Sequence, residues 1–227
     1  MHDSLGCVAL WRDFPAQLAQ ATARVVYAYD RLGFGLSDAS TQPLAHSFVI
    51  TEAEQTFKAV LDYFSIQNFV ILGHSVGGGM SIAIAAAYPE RCQGLISISA
   101  QYAVEALTLK GISEAKIGFQ QAGQMERLER YHPEKAQWVL DAWTETWLSP
   151  AFQDWNLARV IDGVCCPTLI IHGELDEYVS TGQPQQIFEG VSGQAELHIL
   201  EGLHHMPHKE QPELVVALIA EFHQVHC

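Results

Sequence analysis

Short apolar runs recur along the chain, separated by stretches whose apolar residues fall every three to four positions. The runs Phe69-Val70-Ile71-Leu72, Gly94 to Ser99, Thr168-Leu169-Ile170-Ile171-His172 and Glu196 to Leu200 read as strands. Arg24-Val25-Val26-Tyr27-Ala28-Tyr29 reads as an earlier strand ending at Asp30. Thr51 to Phe64 has the helical period, with Ala53, Phe57, Val60, Leu61 and Phe64 in one apolar stripe. Met80 to Tyr88 reads as a helix, and Pro212 to Val225 as a closing helix with proline in its first turn. Strand-like and helix-like segments alternate, which predicts an α/β fold: a mostly parallel sheet flanked by helices.

The pattern changes between Ala100 and Pro167, where strand signals give way to helical ones and the aromatics Trp138, Trp143, Trp147, Phe152 and Trp155 gather. We read 101–167 as a helical cap inserted into a core formed by 1–100 and 168–227. Trp143 and Trp147, four apart, share a helix face. Most of these aromatics are expected to pack the cap onto the sheet. Trp143 and Trp147 are candidates to line an apolar substrate pocket.

The chain has 227 residues, of which 48% are hydrophobic and 17% charged, as expected of a globular α/β domain rather than a disordered chain. A formal net charge of −14 repels phosphate backbones and argues against a nucleic-acid partner. Five cysteines (Cys7, Cys92, Cys165, Cys166, Cys227) without C-x-x-C spacing fit a reducing, cytoplasmic setting. Met1-His2-Asp3 is followed by neither a basic nor a long apolar segment, so the start does not read as a signal peptide. No apolar run approaches the ~20 residues of a membrane span.

The densest chemical signal is Gly73-His74-Ser75-Val76-Gly77-Gly78, set between the Phe69 strand and the Met80 helix. A G-x-S-x-G turn between strand and helix is the signature of a nucleophile elbow, with Ser75 at its tip. A serine hydroxyl needs a base, and the base needs an orienting carboxylate. Along such sheets the order is serine, acid, histidine. Asp176 is the leading acid, in the loop past the strand Thr168 to His172; Glu174, Glu177 and Glu105 compete. His204, His205 and His208 are the candidate bases, following the last strand. They lack H-E-x-x-H spacing and a cysteine partner, so a metal site is not expected. His74 reads as a packing residue. The oxyanion donors expected are the N–H of Val76, at the start of the elbow helix, and Ser4, in the early loop His2-Asp3-Ser4-Leu5-Gly6.

Taken together, these segments resemble the α/β-hydrolase family, in its capped, esterase-like group. Asp30-Arg31-Leu32-Gly33-Phe34-Gly35-Leu36-Ser37 is similar to that family's D-x-x-G-x-G-x-S turn, and Gly73 to Gly77 to its elbow. His205-Met206-Pro207-His208-Lys209-Glu210-Gln211-Pro212 is similar to its G-H-x-x-H-x-E-x-P ending, a register that selects His205 as the base. Two residues depart from the pattern. Asp3 stands where the family has glycine beside the oxyanion site, and His204 replaces the glycine before the histidine. The family also has about three strands ahead of the loop at which this sequence starts. The resemblance therefore implies an N-terminally abbreviated fold, in which the Arg24 strand faces a gap unless strands re-pair or copies dimerise. The oligomeric state is left open.

The resemblance implies a serine hydrolase of small acyl substrates that uses Ser75, His205 and Asp176 and no cofactor. An aspartate-nucleophile, halide-releasing chemistry does not fit serine at position 75. The same triad would serve hydrolysis of a carbon–carbon bond in a diketone-type ring-cleavage product. The third expectation is a non-catalytic binding module on the same fold, or an inactive abbreviated form.

Overall fold

The computed structural model describes residues 1–227. Its centre is a four-stranded sheet of β1 (Phe69–His74), β2 (Cys92–Ile98), β3 (Thr168–Gly173) and β4 (Ala195–Leu200), in that spatial order and parallel throughout. Successive strand residues point to opposite faces, and both faces are covered. On one side, Ile96, Ile98, Leu169 and Ile171 meet Phe14 and Leu18 of α1 (Phe14–Thr22) and Val215, Ile219 and Phe222 of α10 (Pro212–His226). On the other, Ile71, Leu95 and Ile170 join Ile82 and Ile84 of α4 (Val76–Ala87) and Ile187 of α8 (Gly182–Gly190).

Two sequence expectations are corrected. Arg24 to Tyr29 is not a strand: it runs as irregular backbone, with Val25 77% and Tyr27 47% exposed. An apolar groove of about 240 Å³, lined by Val25, Tyr27, Phe57, Val70 and Leu72 among others, lies between it and β1. The segment therefore has no ladder to join. Only Met1 reaches the outer edge of β1, donating from its ammonium to Leu72 O and accepting from His74 N at 3.1 Å. The helix expected over Thr51 to Phe64 is broken at Gln55 (φ −105°, ψ −109°) into α2 (Phe48–Thr51), a 3₁₀ turn and α3 (Thr56–Tyr63). The break turns Glu52 inward, where the Tyr29 hydroxyl donates to it at 2.7 Å. Of the expected stripe, Ala53, Phe57 and Leu61 are buried, while Phe64 is 47% exposed.

Between β2 and β3 the chain forms no named strand. It carries α5 (Ala106–Gly118), α6 (Gln124–Glu129) and α7 (Ala136–Trp147). Past β4 a loop leads into the short α9 (Pro207–Glu210). All five cysteines are free thiols, and no helix is long and apolar enough to cross a membrane.

Candidate active site

Ser75 joins β1 to α4 with φ 57° and ψ −128°, a conformation that costs an L-residue on the order of 1–3 kcal/mol. Two glycines make the turn possible. A Cβ at Gly73 would lie 2.0 Å from Gly77 O, and one at Gly77 would lie 2.4 Å from Met1 O. The turn is closed by Gly78 N donating to Ser75 O at 2.8 Å. Val76, the first residue of α4, has no carbonyl one turn back within the helix, so its N–H is free of helical pairing.

The carboxyl end of β3 supplies Asp176. Its Oδ1 accepts from Tyr178 N at 2.8 Å and Val179 N at 3.0 Å, and its Oδ2 lies 2.8 Å from His205 Nδ1. Burial pushes this carboxyl up, but the hydrogen bond and charge of His205, with the Tyr178 N–H, outweigh it and hold it below the usual carboxylate range. A carboxylate can only accept, so His205 Nδ1 carries the proton. His205 Nε2 is then the acceptor for the Ser75 hydroxyl, 2.9 Å away. Ser75, Asp176 and His205 are 4%, 8% and 6% exposed, so the line is shielded from bulk water.

The competing acids brace the surrounding loops. Glu177 Oε2 accepts from His205 N at 3.3 Å, Glu174 from Gly202 N at 3.0 Å, and Glu105 from Ser180 N and Oγ. The three clustered histidines diverge: His204 pairs with Glu210, while His208 packs its ring 4.5 Å from that of His74.

Ser4 sits in a turn closed by Gly6 N donating to Asp3 O, and it makes no hydrogen bond to the Ser75 side chain. The Asp3 carboxylate accepts from Leu5 N at 3.0 Å and faces His74 Nδ1 at 3.4 Å. Trp143 packs 6.0 Å from the Tyr178 ring, which in turn lies 5.0 Å from that of His205. Trp147 is 1% exposed against Phe152 and Trp155, in the core rather than on a pocket wall, because its side chain faces the apolar cluster under α7. Sequence reasoning missed Gln101, whose amide atoms lie 3.4 and 3.5 Å from Ser75 Oγ. Its place just past the carboxyl end of β2 was the available signal.

The arrangement can be set beside known proteins. A family model described as the alpha/beta hydrolase fold matches residues 4–132. The (lyso)-N-acylphosphatidylethanolamine lipase of Bos taurus is 30% identical over 98 residues, 43% of this chain and 28% of that protein. The match thus spans under a third of that relative's length. The 2-hydroxymuconate semialdehyde hydrolase of Pseudomonas sp. strain CF600 is 25% identical over 98% of this chain and 84% of its own. A crystal structure of a hydrolase from Pseudomonas aeruginosa PA01 superposes with a TM-score of 0.72 at 21% identity, covering 97% of this chain and 87% of the other. With more than half of its length matched by the family model, and the same parallel sheet in a solved structure, this chain belongs to the alpha/beta hydrolase fold family.

Proposed function

We propose that this protein is a serine hydrolase that cleaves a small carboxylic ester or related acyl compound. The observation that carries this reading is the hydrogen-bond line from Asp176 Oδ2 through the His205 ring to Ser75 Oγ, with steps of 2.8 and 2.9 Å. In the first half-reaction His205 Nε2 takes the Ser75 proton as Oγ attacks the carbonyl carbon. The Val76 N–H, joined by that of Ser4 once substrate is bound, stabilises the oxyanion. The leaving alcohol departs with the proton held on His205. Water then repeats the sequence on the acyl-serine, and the acid is released. Asp176 remains ionised and holds the imidazolium. In this reading 101–167 is the cap over the site, with Trp143 its aromatic contact to substrate. The free thiols support a reducing, cytoplasmic setting, and the net charge of −14 argues against nucleic acid.

A second reading is hydrolysis of a carbon–carbon bond in a diketone-type ring-cleavage product. It is favoured by the nearly full-length similarity to the 2-hydroxymuconate semialdehyde hydrolase. The same serine would attack the ketone carbon, and a carbon leaving group would take the proton.

Labelling with a fluorophosphonate probe tests the core of both. Ser75 reacts in the parent and Ser75→Ala does not. Turnover of short-chain aryl esters against dienoate ketones then separates the two. A folded parent that neither labels nor turns over either substrate class refutes the enzyme reading in favour of a non-catalytic binding module.

A further inference from the structure

A second acid–imidazole pair lies behind the first. His74 closes β1 next to the nucleophile, and its side chain is completely buried. Its Nε2 lies 2.8 Å from the backbone carbonyl oxygen of His205. A carbonyl can only accept, so Nε2 carries the proton and donates it. Its Nδ1 has no hydrogen-bond partner in this geometry and faces the Asp3 carboxylate at 3.4 Å. Other groups close in from the neighbouring elements. The ring of His205 lies 4.9 Å away, on the loop after β4, and that of His208 4.5 Å away, on α9. Burial lowers the pKa of His74, so the ring is neutral and its Nδ1 offers Asp3 a lone pair rather than a proton.

We infer that His74 is a positioning residue for the proposed general base. Its Nε2–H fixes the peptide that carries His205. This inference rests on the serine-hydrolase reading above. The direction of the His205 ring follows from its backbone. That backbone lies in the turn after β4, held by the side chains of Glu174 at Gly202 N, Glu210 at His204 N and Glu177 at His205 N, besides His74. His74 is adjacent to Ser75 in sequence, so one strand end fixes both the nucleophile and the loop that bears its base. Removing the Nε2 donor leaves the His205 carbonyl buried and unpaired, and the loop relaxes to resolve that. A displacement of about 1 Å between base and nucleophile is enough to cost on the order of 100-fold in turnover. The Asp3 carboxylate is held by the Leu5 N–H, which donates to it at 3.0 Å.

The test compares the parent with His74→Gln, His74→Leu and His74→Asn. Three quantities are read: kcat and KM on p-nitrophenyl acetate, the rate of fluorophosphonate labelling, and the slowly exchanging Nδ1–H proton resonance of His205. His74→Leu is expected to lose about 100-fold in kcat and in labelling rate with KM within about twofold, and to lose the resonance. His74→Gln places an amide nitrogen near the lost Nε2, and it is expected to recover at least about tenfold of that loss and to restore the resonance. His74→Asn, whose amide reaches only the Nδ1 position, is expected to match His74→Leu. A folded His74→Leu protein that labels at the parent rate, or a His74→Gln protein no better than His74→Leu, overturns the inference. Should His74→Leu fail to fold, parent-like labelling and resonance in His74→Asn overturn it. Should the parent itself prove inert, the hydrolase reading fails separately. The resonance still decides the positioning role: its persistence in His74→Leu, or in His74→Asn if that protein alone folds, refutes it.

Discussion

His205 Nε2 sits 2.9 Å from Ser75 Oγ although 130 positions separate the two residues. The approach is built by the parallel sheet. β1 and β3 present Ser75 and Asp176 at the same end, and the turn after β4 brings the His205 ring between them. Since the carboxylate fixes the proton on Nδ1, Asp176→Asn offers a donor where an acceptor is needed and favours the wrong tautomer. We expect kcat to fall on the order of 10³- to 10⁴-fold with KM little changed, measured on an aryl ester. A variant within tenfold of the parent would show that Asp176 does not orient the base.

The elbow tolerates no side chain at Gly73. The atoms a methyl group would meet are the Gly77 carbonyl at 2.0 Å and the Ser81 hydroxyl at 2.4 Å, the first of them helix backbone that cannot swing aside. Gly73→Ala should therefore destabilise the fold by about 3 kcal/mol or more, read as a lowered urea midpoint with an unchanged m-value. A midpoint equal to the parent's would mean that β1 and α4 are less closely opposed than 2.0 Å implies.

Much of this site was legible in the sequence because its parts are local. A strand, two glycines and a serine in six residues define the elbow, and a carboxylate past a strand end is placed by topology. The register of the His205 segment came from family resemblance, since three histidines in five residues cannot be told apart by composition. What escaped depends on long-range pairing. Arg24 to Tyr29 has strand composition, yet a strand exists only where a neighbour completes its ladder, and here a groove lies beside it. The break at Gln55 goes with the contact between Glu52 and Tyr29, which lie 23 residues apart. His74 read as packing because nothing in its local pattern announces that a carbonyl 131 residues away will meet its ring.

Trp143 and Trp147 share a helix but separate in environment, and substitution should separate them too. Trp147, 1% exposed among Phe152 and Trp155, leaves a large void when truncated. Trp147→Ala should lose about 3–5 kcal/mol of stability in a denaturant titration. Trp143, half-buried beside Tyr178, should lose less, with its effect falling on KM. Equal stability losses, with KM unmoved in Trp143→Ala, would assign both residues to packing.

His208 contributes to the acid sensitivity, alongside other buried histidines whose pKa burial lowers. It is buried between the rings of Trp11, Phe14 and His74, and burial, reinforced by the neighbouring charges of His74 and Lys209, lowers its pKa to about 2. The unfolded chain binds this proton near pH 6.5, whereas the folded chain resists it down to about pH 2. Between those values the unfolded state holds more protons, so stability present above pH 6.5 is lost progressively as pH falls. One such group contributes about 1.4 kcal/mol per pH unit, or roughly 2 kcal/mol between pH 6.5 and 5. His208→Phe keeps an aromatic ring against Trp11 and Phe14 and removes the titration. Unfolding free energies measured at pH 7 and pH 5 should therefore differ by about 2 kcal/mol less in His208→Phe than in the parent. An undiminished difference would mean that His208 takes up its proton in the folded state, and that the ring cluster behind His205 is wetter than its burial indicates.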